Sequence, residues 1–542
     1  MNLKLSLPPQ EGHVAVEIRP AETDRWLSNL PVLNAAETSH QIFTALSGLN
    51  RRLLDDKTRV KLLELYRGPV RAVCQEQRKL YVGAPLPLPD KTKLVSQRVR
   101  QFQEEMAYGY KRVVMGYTAK DRLTTGDKTE LALVIQRAIG YLTEALAKSF
   151  ELYAPSPEGT WREIHHLYRL AEIEGITEVP VPDRLNDAVA HSSVSHVYKT
   201  ALLLDFSDPY HLPARMLEKI QRYLDAHAPL AELSLVTEAL RRDCQFLVNL
   251  DNDRAGVMNI PNTPITTEAQ YRLLTTVELA RVVHQQLNAL QAGQQPEVAG
   301  LDKDFFRQQG IEMLLRLITS WGVNPKRLFP RNDSPAARFE VATGIEAIRF
   351  CVNGGVEFEP STNEVGPQPR RTAIGGQPPP AHTGAETAGK YPIAVWDVLD
   401  ESAGGFSLGK SKVHGGQVRV GDLIAVRLAG GDAPWSIAMV RWARATSADD
   451  VEFGAQRLAP GGQAVGVMPL TPPADKPLAA LLLPEVKPLR QARTLVTPRG
   501  FYKPNGRLIL DDGYRSHLMQ VTRLVNVTGS FEQFQFAFVD GA

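Results

Sequence analysis

The apolar and polar positions of this chain fall into two regimes. From about residue 34 to residue 322, apolar side chains recur at steps of three and four, the period of a helix with one buried stripe. In "KTELALVIQRAIGYLTEALAKSF" the residues Leu131, Ile135, Ile139, Leu142, Leu146 and Phe150 make such a stripe. No proline interrupts residues 91–154 or 265–295. Prolines gather instead in "GAPLPLPDK", "YAPSPEGT", "EVPVPD" and "NIPNTP", where helices are expected to stop. The pattern predicts nine to eleven helices, mostly antiparallel neighbours on short connections. No fixed repeat period stands out, so an all-α bundle and a solenoid-like array are both open.

After Trp321 the pattern changes. "ARFEVATGIEAIRFCV" is rich in β-branched and apolar residues and reads as strand. Residues 360–392 hold seven prolines and five glycines with few large apolar side chains, which predicts a disordered insertion. Strand signals resume at "YPIAVWDVLD" and continue through "VRVGDLIAVRL", "WSIAMVRWA", "VEFGAQRLA" and "AVGVMPL". Glycine-containing turns separate them, as in a small antiparallel barrel. A proline-rich break at 472–488 precedes "ARTLVTP", "RLILDD", "HLMQVTRLVNVT" and "FEQFQFAFV". The expected organisation is an extended segment 1–33, a helical domain 34–322, a barrel 323–470, a linker 471–488 and a β-rich module 489–542.

Composition narrows the function classes. The chain has 542 residues, too many for one core, with 43% hydrophobic and 23% charged residues. A formal net charge of +2 gives no field for bulk nucleic acid, so no DNA or RNA partner is expected. Cys74, Cys244 and Cys351 are far apart without CxxC spacing, against a zinc site or disulfide framework. "MNLKLSLPPQEG" lacks an apolar signal-peptide core, and no run of about 18 apolar residues occurs that could span a membrane. A cytoplasmic protein is the expectation.

The loop 399–408, "LDESAGGFSL", carries the first candidate chemistry. Asp400, Ser402 and Gly405 have the spacing [DN]-x-S-x-x-G. An acid and a hydroxyl there can accept and donate hydrogen bonds, and Gly404 and Gly405 permit positive φ and close approach. Taken alone, the stretch is also what an ordinary Asx-type turn looks like. Upstream, "KRLFPR" contains Arg327-x-x-x-Arg331. Arginine offers a planar fork to phosphate and to the O6/N7 edge of guanine, and can stack on a base.

Catalytic and metal readings fare worse. His165 and His166 in "EIHHLYRLAE" point about 100° apart on a helix and do not form an i,i+4 metal pair. His191 and His196 flank "SSVS", which reads as a helix start. There is no G-x-S-x-G elbow and no G-x-x-x-x-G-K-[ST] loop, and "GGFSLGKS" lacks the following helix.

The two motifs and the strands after them, "VGDLIAVRL", "AMVRW" and "EFGAQRL", resemble a PilZ domain over roughly 327–470. That family is a six-stranded antiparallel β-barrel that binds the bacterial second messenger cyclic di-GMP. The resemblance implies that Arg327 and Arg331 clamp the guanines and phosphates of the ligand. It implies that Asp400 and Ser402 bind guanine edges while Gly405 holds the turn. Arg338 and Arg371 are rivals for the arginine positions. The helical region, with "LELYRGPVRAV" and "EEMAYGYKRVV", is similar to the N-terminal part of large proteobacterial proteins that end in a PilZ-like domain. The implied protein is a non-enzymatic effector without cofactor that couples cyclic di-GMP to a helical domain for an unknown protein partner. The alternative is a degenerate PilZ-like scaffold that acts only through protein contacts.

Overall fold

The computed structural model describes residues 3–11, 14–31, 34–186, 188–236, 244–258, 270–302, 305, 307–322, 332–333, 337–361, 390–410, 416–447, 450–470, 476–486 and 492–539. The chain divides into two compact units, Met1–Ala84 with Leu88–Lys326, and Arg327–Ala542 with Pro85–Pro87.

The first unit is built on helices α1 (Pro20–Ser28), α2 (Ala35–Arg51), α3 (Asp56–Arg78), α4 (Asp90–Thr118), α5 (Thr125–Glu151) and α6 (Thr160–Glu174). Two-residue strands β1 (Val181–Pro182) and β2 (His191–Ser192) lead to α7 (Val194–Asp205) and α8 (Ala214–His227). Then come β3 (Glu232–Leu235), β4 (Gln245–Asn249), β5 (Val257–Met258), β6 (Tyr271–Thr275), α9 (Val277–Gln291) and α10 (Arg307–Trp321). Polar caps start the helices where the sequence offers them. Asn34, Asp55, Thr124 and Ser193 each accept a backbone N–H of the following turn, and Thr124 with Asp127 closes a full capping box. α6 stops at Gly175, which takes the left-handed conformation.

One hydrophobic core runs from Leu3 to Trp321 through these helices. The stripe of α5 is buried as expected, but so are Val134, Arg137, Ala147 and Lys148 on its other faces. A helix enclosed on all sides must pair its charges. Arg137 meets Glu64 and Asp183, and Lys148 meets Glu144 and Glu151. Two expectations need correction here. α1 lies in the segment expected to be extended. A four-stranded antiparallel sheet, order β3-β6-β4-β5, interrupts the region read as all-α. Its strands have two to five residues, too short to show a period of two against the helical background.

The second unit contains two barrels. Strands β7 (Asn332–Asp333) and β8 (Arg338–Thr343) precede helix α11 (Ile345–Val352). They are followed by β9 (Ile393–Ser402), β10 (Gly405–Lys410), β11 (Leu423–Leu428), β12 (Ser436–Ala445) and β13 (Val451–Ala459). The sheet order is β10-β13-β12-β11-β8-β9, and β9 also pairs with β10, so six antiparallel strands close on themselves with β7 added beside β9. Phe339, Val341, Trp396, Val398, Phe406, Leu408 and Phe453 are buried. The second barrel has β14 (Gln463–Pro469), β15 (Leu478–Leu483), β16 (Thr494–Thr497), β17 (Arg507–Asp511), β18 (Ser516–Val527) and β19 (Glu532–Phe538). It closes in the order β14-β15-β16-β19-β18-β17.

Three details depart from the sequence reading. The strand expected over "ARFEVATGIEAIRFCV" ends at Thr343; Gly344, at φ +89°, turns the chain into α11. "AVGVMPL" becomes β14 and opens the second barrel instead of closing the first. Part of the expected linker is β15, whose "LAALLL" pairs with β14 and β16. The prolines around it bound a buried strand, which composition alone cannot distinguish from a linker. The expected insertion falls largely on 362–389, outside the described residues. A shared core joins the barrels: Ile348 and Cys351 of α11 and Ile437 of β12 cluster with Leu481, Leu483, Val496 and Phe531.

Candidate functional site

The "LDESAGGFSL" stretch forms the β9–β10 hairpin. Ser402 pairs with Gly405 across a turn of two residues, Ala403 and Gly404. Glu401 then pairs with Phe406 and Asp400 with Ser407, after which Leu399 bulges out of register. The Ser402 hydroxyl donates to the Gly405 carbonyl at 3.1 Å and ties the two ends of the turn together.

Gly405 is required for a reason other than the one expected. Its φ lies outside the left-handed region, but a Cβ added there would sit 2.3 Å from the Ala455 carbonyl oxygen. The glycine lets β10 lie close against β13.

Side chains alternate across the sheet, so cross-strand partners share a face. Phe406 pairs with both Glu401 and Ala455, and Arg457 follows on the same face as Ala455. Arg457 holds the hairpin from that side. Its Nη2 donates to Glu401 Oε1, its Nη1 donates to Ser436 Oγ at 3.2 Å, and its backbone N–H donates to the Gly404 carbonyl at 3.0 Å. Its guanidinium also lies over the Phe406 ring, 5.3 Å from the centroid.

The opposite face carries Asp400, in register with Ser407, Gly454 and Trp442 on successive strands. A Cβ at Gly454 would fall 2.0 Å from Trp442 Nε1, so the indole lies over the glycine. Three strand spacings put the Trp442 backbone about 14 Å from that of Asp400. On its other edge, β9 receives β7, with Asn332 opposite Glu401 and Asp333 opposite Asp400.

Asp400, Ser402 and Gly405 are therefore brought together at one barrel end. Arg327, Arg331 and Arg371 lie outside the described residues. Arg338, the other rival, opens β8 opposite Asp397 and is exposed. Sequence reasoning missed Glu401 and Arg457, which lie 56 residues apart and are joined only by strand pairing. It also missed Trp442 as part of the Asp400 row. The glycine at 454 was the available signal, since a strand interior favours glycine where something approaches closely.

The histidines take ordinary roles. His165 is buried, accepts from the Tyr198 hydroxyl at Nδ1 (2.7 Å), and donates from Nε2 to the Arg254 carbonyl (2.9 Å). Burial pushes its pKa down to about 4. The Ser193 hydroxyl caps α7 by accepting the His196 N–H, which fits a helix start and not a nucleophile. A cavity of about 480 Å³ in the helical unit is lined by Tyr168, Glu172, Glu178, Ser195, Lys199 and Glu232. Among the described residues no group of three or more His, Cys, Asp or Glu could hold a metal ion, and no helix is long and apolar enough to cross a membrane.

Comparison with known proteins gives three matches along the chain. Residues 21–239 match the family model of the N-terminal domain of the cyclic-di-GMP receptor FimW. Residues 367–464 match its middle PilZ domain, and residues 464–539 match the FimW C-terminal β-barrel domain. The middle match includes the hairpin and does not reach Arg327 or Arg331. A relative, the cyclic-di-GMP receptor FimW of Pseudomonas aeruginosa, is 25% identical over 581 residues, covering 99% of this chain and 93% of the relative. No solved structure matched. The chain is thus similar to cyclic-di-GMP receptor FimW in three successive parts, an N-terminal domain, a middle PilZ domain and a C-terminal β-barrel.

Proposed function

We propose that this chain is a cytoplasmic receptor for cyclic di-GMP that acts by binding and not by catalysis. One observation carries the reading. The pairing of Asp333 with Asp400 brings the segment directly following Arg331 in sequence to the strand that bears Asp400 and Ser402. This pairing supports a reading in which both halves of the guanine-recognition chemistry act at one strand end. The Asp400 carboxylate accepts from the guanine Watson–Crick edge, the Ser402 hydroxyl adds a second polar contact, and Arg327 and Arg331 engage phosphates and the O6/N7 edge. The Trp442 indole, in the same row, supplies a flat apolar surface for a base. The full-length relative named as a cyclic-di-GMP receptor supports the same reading. The helical unit is the proposed contact for a protein partner.

Titration calorimetry with cyclic di-GMP tests the proposal, with GMP and cyclic AMP as controls. Saturable binding at micromolar ligand is expected. Asp400→Ala should weaken it roughly 10- to 100-fold, the scale of a hydrogen-bonded charge. Absence of heat up to high micromolar ligand refutes the receptor and leaves the scaffold reading.

A further inference from the structure

Asp400 and Ser402 sit at the end of a hairpin with a two-residue turn. The local tie is the Ser402 to Gly405 hydrogen bond. Among the described residues, β7 adds two register pairs on the other edge. Further contacts come from Arg457, near the end of β13.

Those contacts are of three kinds. The backbone N–H of Arg457 donates to the Gly404 carbonyl inside the turn itself. One guanidinium nitrogen donates to Glu401, the residue between Asp400 and Ser402 in sequence. The other donates to Ser436 at the start of β12, which fixes the guanidinium from the side away from the hairpin. The plane also rests on Phe406, the register partner of Glu401. The side chains of Arg457 and Glu401 are 23% and 37% exposed, so solvent screens the pair and its contribution to global stability is small. Its effect is local. Glu401 projects to the face opposite Asp400 and Ser402, so anchoring it fixes the rotation of the strand end that aims those two side chains.

We infer that Arg457 is a positioning residue for nucleotide binding: by clamping Glu401 and the Gly404 carbonyl from the inner face, it sets the outward geometry of Asp400 and Ser402. The inference rests on the receptor reading proposed above. Gly405 and Arg457 act as a pair in this account. The glycine permits the close approach of β10 to β13, and the arginine locks the turn once it is there.

The test uses the full chain with Arg457→Met, Arg457→Lys, Glu401→Gln and the charge swap Glu401→Arg with Arg457→Glu. Cyclic di-GMP affinity is measured by calorimetry, amide exchange over residues 400–407 without ligand, and the melting temperature alongside. Arg457→Met and Glu401→Gln should each weaken binding about tenfold, the scale of one charge-assisted hydrogen bond. They should speed exchange in the hairpin and leave the melting temperature nearly unchanged. Arg457→Lys and the charge swap should recover part of the affinity. Wild-type affinity in Arg457→Met, or a loss matched by a fall in melting temperature and not eased by Arg457→Lys, overturns the positioning role while the receptor reading stands. If the wild-type chain binds no cyclic di-GMP, the receptor reading falls. In that case the exchange comparison decides the clamp alone, and unchanged exchange in Glu401→Gln and Arg457→Met overturns it.

Discussion

Gly405→Ala is the sharpest perturbation the hairpin offers. The new Cβ would lie 2.3 Å from the Ala455 carbonyl oxygen, 3.3 Å from its carbon and 3.4 Å from Gln456 Cα. A comfortable carbon–oxygen approach is about 3.3 Å. The strands must therefore part by about 1 Å, and the obstructing atoms are backbone, with no rotamer to move aside. Overpacking of this kind costs about 1–3 kcal/mol, and a weakened ladder bond adds about 1 kcal/mol. A loss of about 3 kcal/mol should lower the urea midpoint by about 1 M if the unit unfolds with an m-value of about 3 kcal/mol/M. Gly140→Ala is the control. That glycine lies in α5 with nothing within 4 Å of the added carbon, so helix propensity should stabilise the variant by about 1 kcal/mol. Urea unfolding followed by tryptophan fluorescence reads both. If Gly405→Ala costs under about 0.5 kcal/mol, the steric account of the motif glycine is wrong.

Two further outcomes follow from buried charge in the helical unit. Lys111 is 1% exposed and its Nζ lies 2.6 Å from Glu163 Oε2, so Lys111→Met strands a carboxylate and should cost about 3–5 kcal/mol in chemical denaturation. Adding Glu163→Leu should recover most of that loss. His165 titrates near 4 when folded and about 6.5 when unfolded, so only the unfolded chain takes up this proton as pH falls through that window. Stability should therefore drop by about 3 kcal/mol between pH 6.5 and 4, and His165→Gln should flatten that part of the profile.

What the sequence disclosed depended on how local the signal was. The stripe of α5 and the hairpin motif are local patterns, and both stand where the periodicity and turn chemistry put them. β15 was hidden because prolines on both sides dominate the composition of its neighbourhood, although six apolar residues in a row are what a buried strand needs. α11 was hidden because Ile, Phe and Val favour strands on propensity, and tertiary packing against both barrels overrode it. The Arg457–Glu401 pair is a product of strand order. Nothing within either segment points to the other until β10 is known to lie between β9 and β13.

The shared core around α11 also constrains how such a protein can be inherited. Leu481, Leu483, Val496 and Phe531 of the second barrel complete a cluster that begins at Ala342 in the first. A recombination breakpoint or premature stop near residue 460 would leave Ile348, Cys351 and Ile437 facing water, so the truncated chain should aggregate and not persist as a minimal nucleotide-binding module. Expression of residues 1–460, compared with the full chain for soluble yield, checks this directly. The two barrels are thus expected to fold and to be lost together, whatever task the second performs.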